Sequence, residues 1–221
     1  MLLLDLLIPA RCAGCGARGA PCCARCAGVW GSVSEVVRVP VAGSARVFAL
    51  ARYRGVARRL LIAYKERGRR DLAASLGRAL AAALAVLPLQ RTSAAPARRG
   101  ICLVPAPSRR SASRVRGGPH VERLANAAAS VLAGEGVEVA VAPALELAGG
   151  ARDAVGLDRA ERVANLAGRL RFREAGRPPP GFPVVVLDDV ITTGATAAAC
   201  VRALEKEGIE VAAVLTLLAA G

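Results

Sequence analysis

The chain has 221 residues, and its composition, 54% hydrophobic and 22% charged, excludes a disordered protein and fits one full core with a small appendage. The net charge is +14 at pH 7. Residues 1–100 contain 17 Lys and Arg against 4 acids, and residues 101–221 contain 14 against 13. The basic first half favours an anionic partner, such as nucleic acid or a polyphosphate, with a merely solubilising basic face as the alternative.

The first residues are apolar but lack the features of a membrane anchor or an export signal. The stretch from Leu2 to Ile8 is far shorter than the roughly 18 residues of a membrane span. It has no basic leader and contains Asp5. We therefore expect a short amphipathic helix, no membrane span, no signal peptide and a cytoplasmic protein.

Five of the seven cysteines lie within 15 residues and form two C-x₂-C pairs. Four thiolates at this spacing suit one tetrahedral ion, and the pattern predicts a closed structural zinc site on Cys12, Cys15, Cys23 and Cys26. A disulfide framework and an iron–sulfur cluster are the alternatives, and the absence of an export signal weakens the first. We expect Cys22 to be a spare thiol, and Cys102 and Cys200 to be small buried residues.

The region after the cysteines has the patterns of short strands and two helices. Alternating apolar residues over 35–52 indicate strands, and apolar spacing predicts helices over 56–67 and 71–87. Asp71 is expected to cap the second helix. Residues 88–100, rich in Pro, Ser, Thr and Arg, have the composition of a linker.

The rest of the chain alternates between strands and helices, which predicts an α/β fold with a parallel, doubly wound sheet. The expected strands are 101–104, 137–141, 184–187 and 209–218, with 143–147 extending the second. The expected helices are His120–Leu132 and Ala197–Lys206. We expect three units: an N-terminal helix with the zinc module over 1–30, a basic strand and helix region over 31–100, and the α/β body over 101–221.

The most informative segment follows the strand over Val184–Leu187. Asp188 and Asp189 come at its carboxyl end, where open α/β sheets bind ligands. The turn after them is rich in hydroxyl groups and leads into a helix whose N-terminus attracts anions; it comprises Thr192, Thr193, Gly194, Ala195 and Thr196. Two acids would repel a bare phosphate, so the pattern favours a phosphate ligand with diol hydroxyls or a metal. The alternative is an ordinary βα turn.

This segment resembles the signature with which type I phosphoribosyltransferases bind 5-phosphoribosyl 1-pyrophosphate (PRPP). A Leu-Leu-Asp-Leu-Leu-x-Pro start, two C-x₂-C pairs and such a body together resemble the ComF family. Further matches are Tyr53-Arg-Gly55, Tyr64-Lys65, Leu103–Pro107, Arg152 and Arg162-x-x-Asn165. The chain departs from the family pattern at 116–120, near 154–155 and at Glu66.

The resemblance implies a type I phosphoribosyltransferase-like fold in which residues 31–100 form a hood-like region. It implies that Asp188 and Asp189 hold the ribose hydroxyls of PRPP or a ribose 5-phosphate ligand, and that residues 192–196 hold the 5′-phosphate. Pyrophosphate would meet Mg²⁺ and a loop of arginines, for which the candidates are Arg109, Arg110, Arg114 and Arg116. The reaction would join a nitrogen acceptor to C1 of the ribose and release pyrophosphate. By family, the protein would act in nucleoside metabolism and DNA uptake during competence.

A second hypothesis is a non-catalytic adaptor that uses the PRPP-binding fold as a ligand sensor and binds single-stranded DNA or a competence protein. The basic segment 52–70, with eight Lys and Arg against one acid, supports it. Against it, aromatic residues make up only 3% of the chain, which leaves few side chains for base stacking. His120, the only histidine, could act as a general base, but its place at a helix start is more typical of a structural residue.

Overall fold

A six-stranded sheet forms the centre of the protein, seen here in a computed structural model that describes residues 10–89, 100–108, 118–148 and 170–221. The strand order is β1-β2-β8-β7-β3-β4. The strands are β1 Ser34–Glu35, β2 Val47–Arg52, β3 Gly100–Pro105, β4 Glu138–Val141, β7 Val184–Ile191 and β8 Val211–Ala219. β1 runs antiparallel to β2, and the other neighbours are parallel. A separate antiparallel pair joins β5, Leu145–Leu147, to β6, Leu170–Phe172.

Helices cover both faces of this sheet. They are α1 Ala24–Ala27, α2 Gly55–Glu66, α3 Ala73–Val86, α4 His120–Gly134 and α5 Ala195–Glu205. Along β7, Val185 and Leu187 pack with α2, α3 and α4, whereas Val184 and Val186 pack with α5. Because the strand is buried on both sides, it has no polar residue between positions 184 and 187. The predicted α/β class with a mostly parallel sheet is confirmed, with β1 as one antiparallel edge strand.

The second helix and residues 143–147 differ from the sequence-based predictions. The second helix begins at Ala73 after a 3-10 turn, Arg70–Leu72. Asp71 does not cap it, because the Asp71 carboxylate instead accepts a hydrogen bond of 2.9 Å from Arg69 Nε. Residues 143–147 do not extend β4, since the chain turns at Pro143, which lacks an N–H donor, and β5 pairs with β6 outside the main sheet. β1 and β2 lie in the same sheet as the strands of residues 101–221.

The sheet changes direction between β3 and β7. From β3 the chain passes through α4 to β4 on one side, and from β7 it passes through α5 to β8 on the other. The carboxyl ends of two parallel strands that diverge in this way leave a crevice, which is the usual ligand site of open α/β sheets. Within the described ranges, no helix has both the length and the apolarity that a membrane span requires.

Candidate functional site

Asp188 and Asp189 lie in the last half of β7, which continues to Ile191 rather than ending at Leu187. Successive side chains of a strand point to opposite faces, so the two acids lie in different surroundings. Asp188 keeps partial exposure, whereas Asp189 is only 4% exposed. Asp189 therefore packs in the interior, although the sequence placed it at the carboxyl end of the strand.

The carboxylate of Asp189 joins two helices to the sheet. Its Oδ2 lies 2.7 Å from His120 Nε2, at the start of α4, and 2.7 Å from Lys65 Nζ, in the last turn of α2. The Tyr64 hydroxyl donates a 2.7 Å hydrogen bond to the His120 carbonyl oxygen. Thus α2, the helix of the basic segment, contributes directly to the acid pair's surroundings.

The two acids have opposite pKa shifts. Burial, reinforced by the negative charge of Asp189, raises the pKa of Asp188 to about 7. Burial also acts to raise the pKa of Asp189, but the His120 hydrogen bond and the Lys65 charge outweigh it and lower that pKa to about 2. With Asp189 ionised, the proton of the shared hydrogen bond belongs on His120 Nε2, which donates it. Among the described residues, the buried His120 Nδ1 has no hydrogen-bond partner.

The turn after β7 depends on a glycine at position 194. Gly194 has a φ of +87°, which side chains with a Cβ rarely adopt. A Cβ at this position would also lie 2.8 Å from Arg38 Cβ. Helix α5 begins at Ala195, two residues earlier than Ala197, the expected start. The last two residues of the 192–196 turn therefore belong to the first turn of α5. Backbone N–H groups at this helix start have no helical acceptor and can bind an anion.

Arg38 holds this turn against the end of β8. Its Nε donates to the Thr192 carbonyl oxygen at 2.5 Å, and its Nη2 donates to the Ala220 carbonyl oxygen at 2.7 Å. Its Nη1 donates to Val37 at 2.9 Å. Arg38 has no signal in the sequence, because no motif surrounds it and its contact with Thr192 spans 154 residues.

A cleft of about 490 Å³ lies at the carboxyl ends of β3 and β7. It brings together Lys65, His120, Asp188, Asp189, Thr192 and Thr196, and Ala106, Pro107 and Ser108, which follow β3, also line it. Thr193, Gly194 and Ala195 are not among its lining residues. The pyrophosphate-loop candidates Arg109, Arg110, Arg114 and Arg116 lie outside the described residues, as do Arg152, Arg162 and Asn165.

A second cluster is formed by four cysteine sulfurs near the N-terminus. The Sγ atoms of Cys12, Cys15, Cys23 and Cys26 all lie within 4.8 Å of one another. The sulfurs of Cys15 and Cys23 are 3.7 Å apart, close to the roughly 3.8 Å expected around tetrahedral zinc with bonds of about 2.3 Å. The four residues could therefore hold a metal ion such as zinc.

The other three cysteines lie outside this cluster. Cys22 Sγ lies 3.9 Å from the Cys23 carbonyl oxygen. Burial and the charges of Cys12 and Cys23 raise the pKa of Cys22 to about 11, so its thiol is neutral at physiological pH. Cys102 and Cys200 are fully buried in β3 and α5, as expected.

Helix α2 connects the cysteine cluster to the cleft. Arg59 Nε donates a 2.7 Å hydrogen bond to the Gly14 carbonyl oxygen, between the first two cysteines. Arg69 Nη2, just beyond the helix, donates to the Arg11 carbonyl oxygen at 3.0 Å. The same helix supplies Lys65 to the acid pair. In the sequence Lys65 belongs to the Tyr64-Lys65 motif and has no evident partner, because only the fold brings α2 to β7.

Comparison with known proteins adds no identification to this geometry. No protein-family model matches the chain, and no curated protein matches it.

Proposed function

We propose that the chain is a phosphoribosyltransferase-like protein of the ComF type, with the type I fold, whose cleft binds PRPP. The observation that carries this proposal is the placement of the acid pair and the hydroxyl-rich turn on one cleft, where the sheet changes direction. A ribose phosphate requires both features, because its hydroxyls need acceptors and its phosphate needs N–H donors.

The two ends of the ligand are assigned to different parts of the cleft. The 5′-phosphate belongs at residues 192–196, where the N-terminus of α5 offers N–H groups and the side chains of Thr192 and Thr196 line the cleft. The ribose belongs beside the acid pair, of which Asp188 is the more exposed member. The loop after β3 begins in the same cleft with Pro107 and Ser108, and this loop remains our prediction for the pyrophosphate.

The proposed reaction is transfer of the phosphoribosyl group to a nitrogen acceptor. The nitrogen lone pair forms a bond to C1 of the ribose, the bond from C1 to the pyrophosphate oxygen breaks, and pyrophosphate leaves with that electron pair. The acceptor then loses its proton. Mg²⁺ would stabilise the charge of the leaving pyrophosphate, and the Asp188 carboxylate is the kind of oxygen ligand that Mg²⁺ prefers. Asp188 and the turn would hold the ribose while C1 reacts.

The cysteine cluster is assigned a structural role. Four sulfur ligands would complete a tetrahedral zinc site and leave no open position for a substrate. Bound zinc would hold residues 10–30 in place against the start of α2, where Arg59 contacts Gly14. We therefore place zinc in the folding of this module and not in the reaction.

Calorimetric titration tests the proposal directly. The protein should bind PRPP more tightly with Mg²⁺ than without it, and ribose 5-phosphate should bind while ribose alone should not. Thr196→Val should weaken binding by about 1–3 kcal/mol, because Thr196 lines the cleft at the start of α5. Ser130→Ala removes an exposed hydroxyl that bonds the Asn126 carbonyl oxygen, ten residues along α4 from His120, and serves as the control. Failure of both phosphorylated ligands to bind would overturn the proposed function.

The net charge of the first half favours a second candidate, the non-catalytic adaptor that binds single-stranded DNA or a competence protein. Arg59 and Arg69 are poor choices for testing this candidate, because each donates a hydrogen bond to a carbonyl group of the cysteine module. Variants at those positions would disturb the module itself. The exposed Arg54, Arg58 and Arg67 are better choices, and their neutralisation should flatten the salt dependence of DNA binding by about 0.7 per lost phosphate contact.

A further inference from the structure

The ion pair with Lys65 distinguishes Asp189 from its neighbour Asp188. Asp189 Oδ2 is shared by His120 Nε2 and Lys65 Nζ, each at 2.7 Å. The Asp189 and His120 side chains are only 6% and 5% exposed, whereas Lys65 is 28% exposed. The carboxylate and the imidazole are thus enclosed, and the ammonium group is the member of the cluster that solvent or a ligand can reach.

The position of Asp189 makes it a poor ribose ligand. One of its oxygens already accepts two donors, and the side chain has almost no exposed surface. Asp188, on the opposite side of the strand, is more exposed and lines the same cleft. One acid can therefore meet the ribose hydroxyls, and the other faces inward.

Lys65 supplies positive charge where an anionic ligand needs it. Of the described residues that line the cleft, Lys65 is the only Lys or Arg, and it shares the cleft with two carboxylates. A phosphorylated ligand entering this cleft would be repelled unless a cation faced it. An ammonium group has three N–H donors, and the bond to Asp189 requires only one of them.

We propose that Asp189 is a positioning residue that holds the Lys65 ammonium in the cleft, and that Lys65 binds phosphoryl oxygens of the ligand. Asp188 is then the acid that meets the ribose hydroxyls. His120 completes the arrangement by fixing the Asp189 carboxylate from the other side. This inference rests on the proposed function and assigns separate roles to two residues that motif comparison treats alike.

The chain offers a direct test, because Lys65 and Lys206 are its only lysines. Lys206 is exposed at the end of α5, so it is an internal control. The protein is acylated with an amine-reactive ester in the presence of PRPP with Mg²⁺, ribose 5-phosphate or pyrophosphate, and both lysines are followed by peptide mass spectrometry. PRPP should slow the acylation of Lys65 and leave Lys206 unchanged.

The separate probes show which phosphoryl group Lys65 meets. Protection by pyrophosphate alone assigns Lys65 to the pyrophosphate, and protection by ribose 5-phosphate alone assigns it to the 5′-phosphate. Either result supports the inference. Equal acylation of Lys65 with and without bound PRPP overturns it.

A double-mutant cycle tests the role of Asp189. Lys65→Met and Asp189→Asn should each weaken PRPP binding about 10- to 100-fold, the range expected for loss of a hydrogen bond to a charged group. The double variant should bind no more weakly than either single variant, because both remove the same contact. Additive losses would overturn the positioning role, since they would mean that Asp189 contacts the ligand independently.

Matched variants separate this inference from a general effect on folding. Lys65→Arg retains a cation and should bind PRPP better than Lys65→Met, and Lys206→Met should bind like the unaltered protein. If Asp189→Asn does not fold, the Lys65 series carries the test. Binding by the unaltered protein with no loss in Lys65→Met would overturn only this inference, whereas no binding of any probe by the unaltered protein would overturn it together with the proposed function.

Discussion

Replacement of Arg38 by alanine tests whether the turn after β7 is held in place by a single distant side chain. The guanidinium donates to carbonyl oxygens of Thr192, Ala220 and Val37 at 2.5, 2.7 and 2.9 Å. The first two bonds connect the segment before β2 to the proposed phosphate turn and to the residue after β8. Arg38→Ala removes all three bonds and leaves the rest of the sheet unchanged.

The size of the effect follows from the number and kind of these bonds. A hydrogen bond to a charged group contributes about 1.5–3 kcal/mol when it is protected from solvent. Arg38 is half-buried, and water replaces part of each bond, so we expect the free energy of unfolding to fall by about 2–3 kcal/mol in total. In a protein of this size, 1 kcal/mol corresponds to about 2–4 °C, and Tm should fall by about 4–12 °C.

Ligand binding should respond as well, because a loosened turn must be ordered when the phosphate arrives. We expect ribose 5-phosphate to bind about tenfold more weakly to Arg38→Ala by calorimetric titration. Arg38→Lys should be intermediate, since an ammonium group cannot reproduce the planar guanidinium fork. Arg46→Ala removes an exposed ion pair with Glu35 and a contact of the guanidinium with the Phe48 ring at 5.0 Å. It is the matched control, and it should lower Tm less than Arg38→Ala and leave affinity nearly unchanged. An Arg38→Ala protein that behaves like Arg46→Ala would refute this reasoning.

Three further predictions concern the turn, the metal and the pH response. Gly194→Ala should lower both Tm and phosphate affinity, because a positive φ costs about 1–2 kcal/mol and its Cβ would crowd Arg38; Gly208→Ala, with a φ of +72° and no close neighbour, measures the first contribution alone. Elemental analysis should find one zinc per chain, retained in Cys22→Ser and lost when Cys12 and Cys15 are both replaced by serine; retention in that double variant would contradict the assignment. Because the native pKa of Asp188 is raised from 3.8 to about 7, its ionisation should reduce stability as pH rises between those values. Asp188→Asn should therefore stabilise the protein against urea at pH 8 but not at pH 4, and an equal effect at both would exclude the shift.

Local patterns in the chain were sufficient for several elements of the fold and of the site. The uninterrupted run Val184–Leu187 indicated a strand buried on both faces, and β7 is enclosed by helices on both sides. The paired C-x₂-C spacing selected the four cysteines whose sulfurs converge. These features could be predicted because burial on two faces and a shared metal both restrict residue type within a few positions of one another.

Tertiary structure alone decided the surroundings of the two acids. Asp188 and Asp189 are adjacent and chemically identical in the sequence, yet their surroundings shift their pKa values in opposite directions. The difference arises because alternation along β7 turns Asp189 toward Lys65 and His120, which lie 124 and 69 residues away in the chain. Arg38 reaches Thr192 across a still longer separation. Such contacts leave no periodic signal in the sequence, since they depend on which strands are neighbours in the sheet and on the face that each helix covers.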